Sequence, residues 1–483
     1  MKYFSQGSGG LWDECLPACI SSRGTVDYPA IQDVRHFSGL SGNNDFPASG
    51  DRTNFAGNET TSDMALQKIL RLDNASLIYP ASQSKKYASL FRMSVTLSGP
   101  VETPLLQQAL EAVVDRIPTF HYTLAGDAFW WRLRYLDRTP RVLPLQPLHA
   151  FSLAGNDGFL FRVSADGARI VLDIFHVLTD GNGGMTFLLT LAAEYLRLRH
   201  GVVPAYGGRI LDPSARPCAS ELADAFDAFG GKRGTLEQND PAYHIRGRIL
   251  PHRVLTDLRV RIPARRVSEV AKARGCTVTE LLAAAMVAAL QAVHAADRHR
   301  KRSVLKVNVP VDLRRIFGGS TLRNFSSYVM LGVDVRNGYL DFDRILEVVR
   351  AQKQLYTMPC QLEPKVAKNV ELEDNFAISC IPRVLKKPLI DVINKLKGDR
   401  YCSHTLSNLG RIDLPEALRP HVRDIDFVLG RQRGNSGASA CVGYGDALVL
   451  HMSRRIAERA FEDAFLEQLA CIGVPAAAEE GNL

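Results

Sequence analysis

The sequence predicts an α/β (α+β) chain folded as two lobes of roughly comparable size. Three observations carry this. The chain has 483 residues, more than one core usually serves, since single cores stop growing near ~250–300 residues. Strand-like alternation and helix-like 3.6-residue periodicity interleave in both halves, and neither half is purely helical or purely strand. A stretch rich in Gly, Pro and charge, 206–243, interrupts the pattern near the middle and reads as a crossover linker.

Residues 1–62 are rich in Gly, Ser, Asn and Asp without a sustained period and read as an irregular N-terminal extension. The first lobe is expected over 63–205. Phe91–Gly99 alternates as a strand. Thr103 is placed to cap a helix with Pro104 at its first position; Leu106, Leu110, Val113 and Val114 share one face, and Pro118 ends it. An aromatic strand pair follows from Phe120 to about Tyr135. Arg169–Phe175 is a strongly apolar strand that Gly181–Gly184 breaks. An amphipathic helix then runs from about Met185 to Arg199, with Phe187, Leu188, Leu191, Tyr195 and Leu198 on its buried face.

The second lobe is expected over 244–474. It opens with a strand, Val254–Ile262, and a helix, Arg265–Arg274. Thr277 and Glu280 then form a capping box on an Ala-rich helix. A strand in SVLKVNVPVDLRR, the segment TLRNFSSYVMLGVD, a loop SNLGRID, and a last strand and helix within Ala447–Cys471 complete it. Residues 475–483 read as a tail.

Net charge is +8 with a pI near 9, a surface that attracts anions in general. The cations are spread along the chain in short clusters such as Arg298–Arg302, without the basic stripe of a nucleic-acid binder, so no nucleic acid is expected. Nine cysteines lack CxxC spacing, which predicts no metal site and no disulfide framework but thiols in a reducing cytosol. The longest apolar stretch, Leu281–Leu290, is about half of what a membrane span requires. The N-terminus lacks the apolar core of a signal peptide. These features predict a cytoplasmic protein with no membrane span.

One motif carries chemistry. His176, Asp180 and Gly181 form HxxxDG at the exit of the buried strand. Alone, that match arises by chance in roughly one random chain in twenty; its place at a strand end before a Gly-rich loop raises it. Imidazole titrates near neutral pH and can take a proton from an alcohol or amine that attacks a thioester, help worth roughly 10²–10⁴-fold. Asp180 is placed to hold the loop through an ion pair or backbone amides, and Gly181 removes a Cβ where the chain bends. Read from the residues alone, Asp180 before glycine is also a common turn residue, and Gly183 and Gly184 serve the turn.

The segment IFHVLTDGNGGMTFLLTLAAEYL resembles the active-site segment of the thioester-dependent acyltransferase superfamily, which includes chloramphenicol acetyltransferase, plant BAHD acyltransferases, peptide-synthetase condensation domains and bacterial alcohol acetyltransferases. LRLDNASLIYPA (Leu70–Ala81), PLLQQALEAVVDRIPTF (Pro104–Phe120), NVPVDLRRIFGGSTLRNFSSY (Asn308–Tyr328) and TLSNLG (Thr405–Gly410) are similar to further segments of the alcohol acetyltransferase group. The resemblance implies two chloramphenicol-acetyltransferase-like lobes, mixed sheets flanked by helices with a channel between them, and a general base at His176. It implies Asp180 as a loop-ordering aspartate whose partner is Arg314, with Arg315 as the fallback. Asn324, Ser326 and Asn408 become channel candidates; by residue type alone they are ordinary turn residues. Acyl-CoA is implied as co-substrate, with no permanently bound cofactor and no covalent acyl-enzyme, and an alcohol or amine as acceptor. An acyl carrier protein stays open as donor, and so does a non-catalytic binding protein of the same fold. Many members carry two adjacent histidines; here Phe175 precedes His176, a departure that argues against a standard peptide-forming condensation domain.

Overall fold

Alternating apolar strands assemble into two main sheets, each with its own core. The computed structural model describes residues 67–82, 89–148, 153–235, 240–251, 254–373, 380–383, 385–386, 399–432 and 434–481. The expected extension 1–62 lies outside the described residues, and those described belong to the unit Asp63–Leu483.

The first sheet has the order β12–β2–β7–β6–β5, formed by Val422–Leu429, Leu90–Leu97, Arg169–Phe175, Phe161–Asp166 and Val142–Pro144 respectively. Neighbours are antiparallel except β5 and β6. Helices Thr103–Arg116 and Gly181–His200 share its core. The stripe Leu106, Leu110, Val113 and Val114 is buried as its spacing requires. Thr103 is the first helical residue and not its cap; Glu102 holds the cap position without a side-chain bond. The aromatic pair, β3 (Tyr122–Gly126) and β4 (Trp131–Tyr135), joins β1 (Ile69–Arg71) in a small sheet of order β1–β4–β3.

The second sheet has the order β10–β9–β11–β13–β14–β8–β15, formed by Ser326–Asp334, Val304–Asp312, His404–Ile412, Gly437–Tyr444, Ala447–Arg454, Thr256–Pro263 and Ala477–Glu480. Helix Val278–Ala296 runs through its core with Leu281 to Leu290 buried. The capping box forms: Glu280 N–H donates to Thr277 Oγ1 at 3.3 Å and Thr277 N–H to Glu280 Oε2 at 2.7 Å. This helix is longer than the apolar stretch read from sequence. Its alanines extend it to 19 residues, enough by length and composition to cross a membrane, with 67% of its apolar window buried inside the protein.

Three segments depart from the sequence reading. SNLGRID is not a loop but part of β11, with a register shift between Asn408 and Arg411. The tail contains β15, which pairs with β8. β12 follows the second lobe's β11 in sequence yet pairs with β2 in the first sheet, from Val422↔Leu97 to Leu429↔Phe91. A strand that leaves its own lobe to close the other sheet has no local signature, because alternation reports burial and not the partner.

β12 is also pinned by charge. His451 on β14 donates Nδ1–H to Asp257 Oδ2 at 2.6 Å and Nε2–H to Asp426 Oδ1 at 3.0 Å. Arg259 on β8 reaches Asp426 at 2.9 Å and Asp424 at 2.5 Å, both on β12. Burial disfavours the imidazolium, but its two carboxylate partners win and lift its pKa to about 9. With the unfolded value near ~6.5, the raised folded pKa stabilises fully below about pH 6.5 and is lost as pH rises through about 9. His451→Gln is therefore expected to lower the melting temperature most near pH 6, with the gap to the parent closing by pH ~9.5; thermal melts across that range check it, and a gap independent of pH overturns it.

Candidate active site

The site begins with a fork in the second sheet. β9 and β11 are parallel neighbours only at His404↔Val307 and Thr405↔Asn308. Beyond that, β11 pairs with β13, while β9 stays with β10 as far as Asp312. A cavity of about 410 Å³ opens where they part, with Asn308, Asp312 and Ser326 on one side, Thr405 and Asn408 on the other, and His176 from the first lobe. That volume lies in the range of small-molecule sites, ~300–1,000 Å³. Asn308 Oδ1 is buried there without a hydrogen-bond partner among the described residues, an acceptor left for a ligand donor.

His176 continues the line of β7. Its N–H donates to Ser89 O at 2.8 Å, and Leu178 N–H to Phe175 O at 2.9 Å turns the chain. The helix starts at Gly181, four residues before the expected Met185, because Asp180 caps it. The Asp180 Oδ1 atom accepts from the N–H groups of Asn182 and Gly183, both at 3.1 Å. The glycines thus serve close packing inside the first helical turn. A Cβ on Gly183 would stand 2.0 Å from Thr179 Oγ1 and 2.4 Å from Leu322 O; on Gly184 it would stand 2.7 Å from Ile174 Cδ1.

The second oxygen of Asp180 reaches the other lobe. Oδ2 accepts from Arg314 Nη1 at 2.8 Å and from Phe325 N–H at 2.9 Å. Arg314 also donates Nε–H to Thr321 O at 2.8 Å and pairs with Asp312 at 3.0 Å. Four donors saturate the carboxylate, so Asp180, though it lines the cavity, serves as a structural acceptor. Arg315, the fallback, is 71% exposed and lies 3.8 Å from Asp312.

The imidazole of His176 is half-buried. Tyr79 stacks on it at 4.5 Å between ring centroids, and Phe91 meets it edge-on at 5.1 Å. Nδ1 lies 3.0 Å from Asn324 Oδ1. Burial lowers its pKa from the ordinary 6.5; its own backbone, Asp180, Asn324 and Asp73 oppose that without overcoming it. The ring is therefore neutral at pH 7. With the proton on Nδ1, facing an acceptor, Nε2 carries a free lone pair and can take a proton from a bound hydroxyl or amine.

Of the residues singled out in the sequence, Asp180 meets Arg314, and Ser326 and Asn408 line the cavity with His176. Asn408 has a backbone task as well: its Oδ1 accepts from Gly410 N–H at 2.8 Å, where the strand bulges and φ of Gly410 is +75°. Asn324 does not line the cavity; it is 1% exposed and sits behind the ring. Phe175 is buried in the first core. Tyr79 and Asn308 were missed as site residues. Tyr79 has no distinguishing local signal, and Asn308 is exposed as an acceptor only by the fork.

No protein-family model matches the chain. Two uncharacterized proteins of Mycobacterium tuberculosis, from strains CDC 1551 / Oshkosh and H37Rv, are each 25% identical over 262 residues. The match covers 52% of this chain and 58% of theirs, so the chain spans little more than half the length of these curated relatives. Among solved structures, polyketide synthase associated protein 5 of M. tuberculosis superposes with a TM-score of 0.55 at 15% identity, over 85% of this chain and 99% of that one. The trichothecene 15-O-acetyltransferase of Fusarium sporotrichioides gives 0.55 at 12% identity, over 84% and 95%. The first condensation domain of the calcium-dependent antibiotic synthetase gives 0.56 at 16%, over 86% and 99%. The chain has the two-lobed fold of the condensation and chloramphenicol-acetyltransferase-like proteins. In this fold the fork between β9 and β11, with β12 carried across to the first sheet, places residues of both lobes around one cavity.

Arg314→Ala removes one member of a mostly buried pair and leaves Asp180 charged and under-satisfied, a change that typically costs ~3–5 kcal/mol. A fall in melting temperature of many degrees is expected by calorimetry; an unchanged melting temperature would falsify the pairing as a lobe-to-lobe tie.

Proposed function

We propose that the protein is an acyltransferase that moves an acyl group from acyl-CoA to an alcohol, or to an amine, with His176 as general base. The observation that carries this reading is the neutral imidazole of His176 reaching a two-lobe cavity with its Nδ1 held from behind. Nε2 takes the acceptor's proton as its oxygen or nitrogen attacks the thioester carbonyl. The tetrahedral intermediate collapses as the thiolate leaves, and the proton on Nε2 returns to it as the thiol departs. No covalent acyl-enzyme and no permanently bound cofactor enter this scheme. Asn308 and Ser326 offer polar groups on the cavity wall to the donor or acceptor. The net charge of +8 suits a donor that carries phosphates.

A second reading replaces acyl-CoA with an acylated carrier protein. It is favoured by the likeness in fold to a synthetase condensation domain and to a protein associated with a polyketide synthase.

Purified protein is expected to release free thiol from acyl-CoA only when an acceptor alcohol or amine is present, and His176→Ala is expected to lose this by roughly 10²–10⁴-fold while keeping its melting temperature. Release from acyl carrier protein alone selects the second reading, and release undiminished in His176→Ala removes the base.

The lowered pKa of His176 sets the pH dependence. The acid limb of kcat/KM reports the free enzyme's base, so activity is expected to hold below pH 6.5, the ordinary imidazole value, and to fall only at lower pH. A limb centred above that value contradicts a desolvated base.

A further inference from the structure

Behind the ring of His176 lies a line of hydrogen bonds that the acyl-transfer scheme does not use. Asn324 turns its Oδ1 to His176 Nδ1 at 3.0 Å and its Nδ2 to Ser76 Oγ at 2.9 Å. Nδ2 also faces Val177 O at 3.5 Å and Asp73 Oδ2 at 3.4 Å. Both of these are acceptors, so the amide has one orientation in which every contact is satisfied. Ser76 in turn donates its hydroxyl and its N–H to Asp73 Oδ1, the latter at 2.8 Å. Asp73 and Ser76 are fully buried, and Arg323, 3% exposed on its side chain, stands 3.6 Å from Asp73 Oδ2.

The direction of each bond follows from its end. The Ser76 hydroxyl has one proton and two acceptors within reach, Asp73 Oδ1 and Val177 O at 3.0 Å, so whichever it takes, it donates there. The Ser76 oxygen is then free to accept from Asn324 Nδ2, and Asn324 presents its carbonyl to the ring. A carbonyl against Nδ1 requires a proton on Nδ1. Three elements contribute: the turn Asn74–Leu77 with its cap Asp73, the residues before β10, and the end of β7.

We propose that Asp73, Ser76 and Asn324 are positioning residues that fix the tautomer of His176, so that an unprotonated Nε2 faces the cavity. This rests on the reading of His176 as a base only for its effect on turnover; the tautomer itself is a property of the resting protein. None of the three touches the cavity, and each acts through the ring. In metal sites, loss of an imidazole's outer partner typically costs ~10–100-fold, and a comparable loss in kcat with KM little changed is expected here.

The test uses the full chain labelled with ¹⁵N at histidine, the His176 signals being identified by their absence in His176→Gln. Long-range ¹H–¹⁵N spectra at neutral pH are expected to place the proton on Nδ1 in the parent. In Ser76→Ala and in Asn324→Leu, a change of similar volume, they are expected to show the proton shared with or moved to Nε2. Ser76→Thr, which keeps the hydroxyl, is expected to restore both the tautomer and kcat. A parent protonated on Nε2, or a tautomer unmoved in both folded variants, overturns the relay. If the tautomer moves as expected while no thioester and acceptor pair turns over in the parent, the relay stands and the acyl-transfer reading falls.

Discussion

The carboxylate of Asp180 is the constraint on which the site depends. One of its oxygens starts the helix Gly181–His200; the other holds Arg314 and the amide of Phe325 in the opposite lobe. One side chain therefore starts the helix and ties the lobes together. An exposed ion pair contributes little to stability, ~0–1 kcal/mol. This one is 6% and 13% exposed and saturated with donors, so it constrains geometry more than its Coulomb energy alone suggests. Close packing around it explains why the first helical turn is built from glycine: a methyl group on Gly183 would meet the backbone that carries Leu322.

The cavity follows from a sheet that is not allowed to close. β11 leaves β9 after two residue pairs and pairs with β13 from Leu406 on, through a bulge between Asn408 and Arg411. Where they part, the Asn308 side chain lines the space with an unpaired buried Oδ1. β12 then crosses to the first sheet, and the Asp–His–Asp and arginine cluster fixes its outer face. The lobes are thus held at the Asp180–Arg314 pair and at β12, with the cavity opening at the fork.

Much of this was legible in the sequence, for identifiable reasons. β7 is buried on both faces and reads as an apolar run interrupted only by Asp173, so its range Arg169–Phe175 is the one expected. The capping box at Thr277 is local chemistry and forms as read. Gly181–Gly184 reads as a loop because glycine disfavours helix interiors; close contacts with Leu409, Leu322 and Ile174 explain glycine at 181, 183 and 184 inside the helix. Asn324 is a channel candidate only through the resemblance; its residue type alone reads as a turn residue. That it faces the back of the ring depends on a fold that joins residues 148 positions apart, and no window of sequence carries that. The same holds for β12, whose alternation fits either sheet.

Phe175 can now be weighed physically. In a chain with two adjacent histidines, the first would stand where this phenylalanine is buried in an apolar core, 1% exposed. A neutral imidazole there would need hydrogen-bond partners that phenylalanine does not. His176, one residue on, has its partner in Asn324 and its stacking face in Tyr79. The substitution therefore relieves a polar group from the core without touching the groups that hold the remaining ring. Its burial, the amide behind it and the saturation of Asp180 leave His176 as the half-buried side chain whose free lone pair can meet a ligand in the cavity. A phenylalanine at 175 and the contacts that hold His176 are compatible because β7 ends between them.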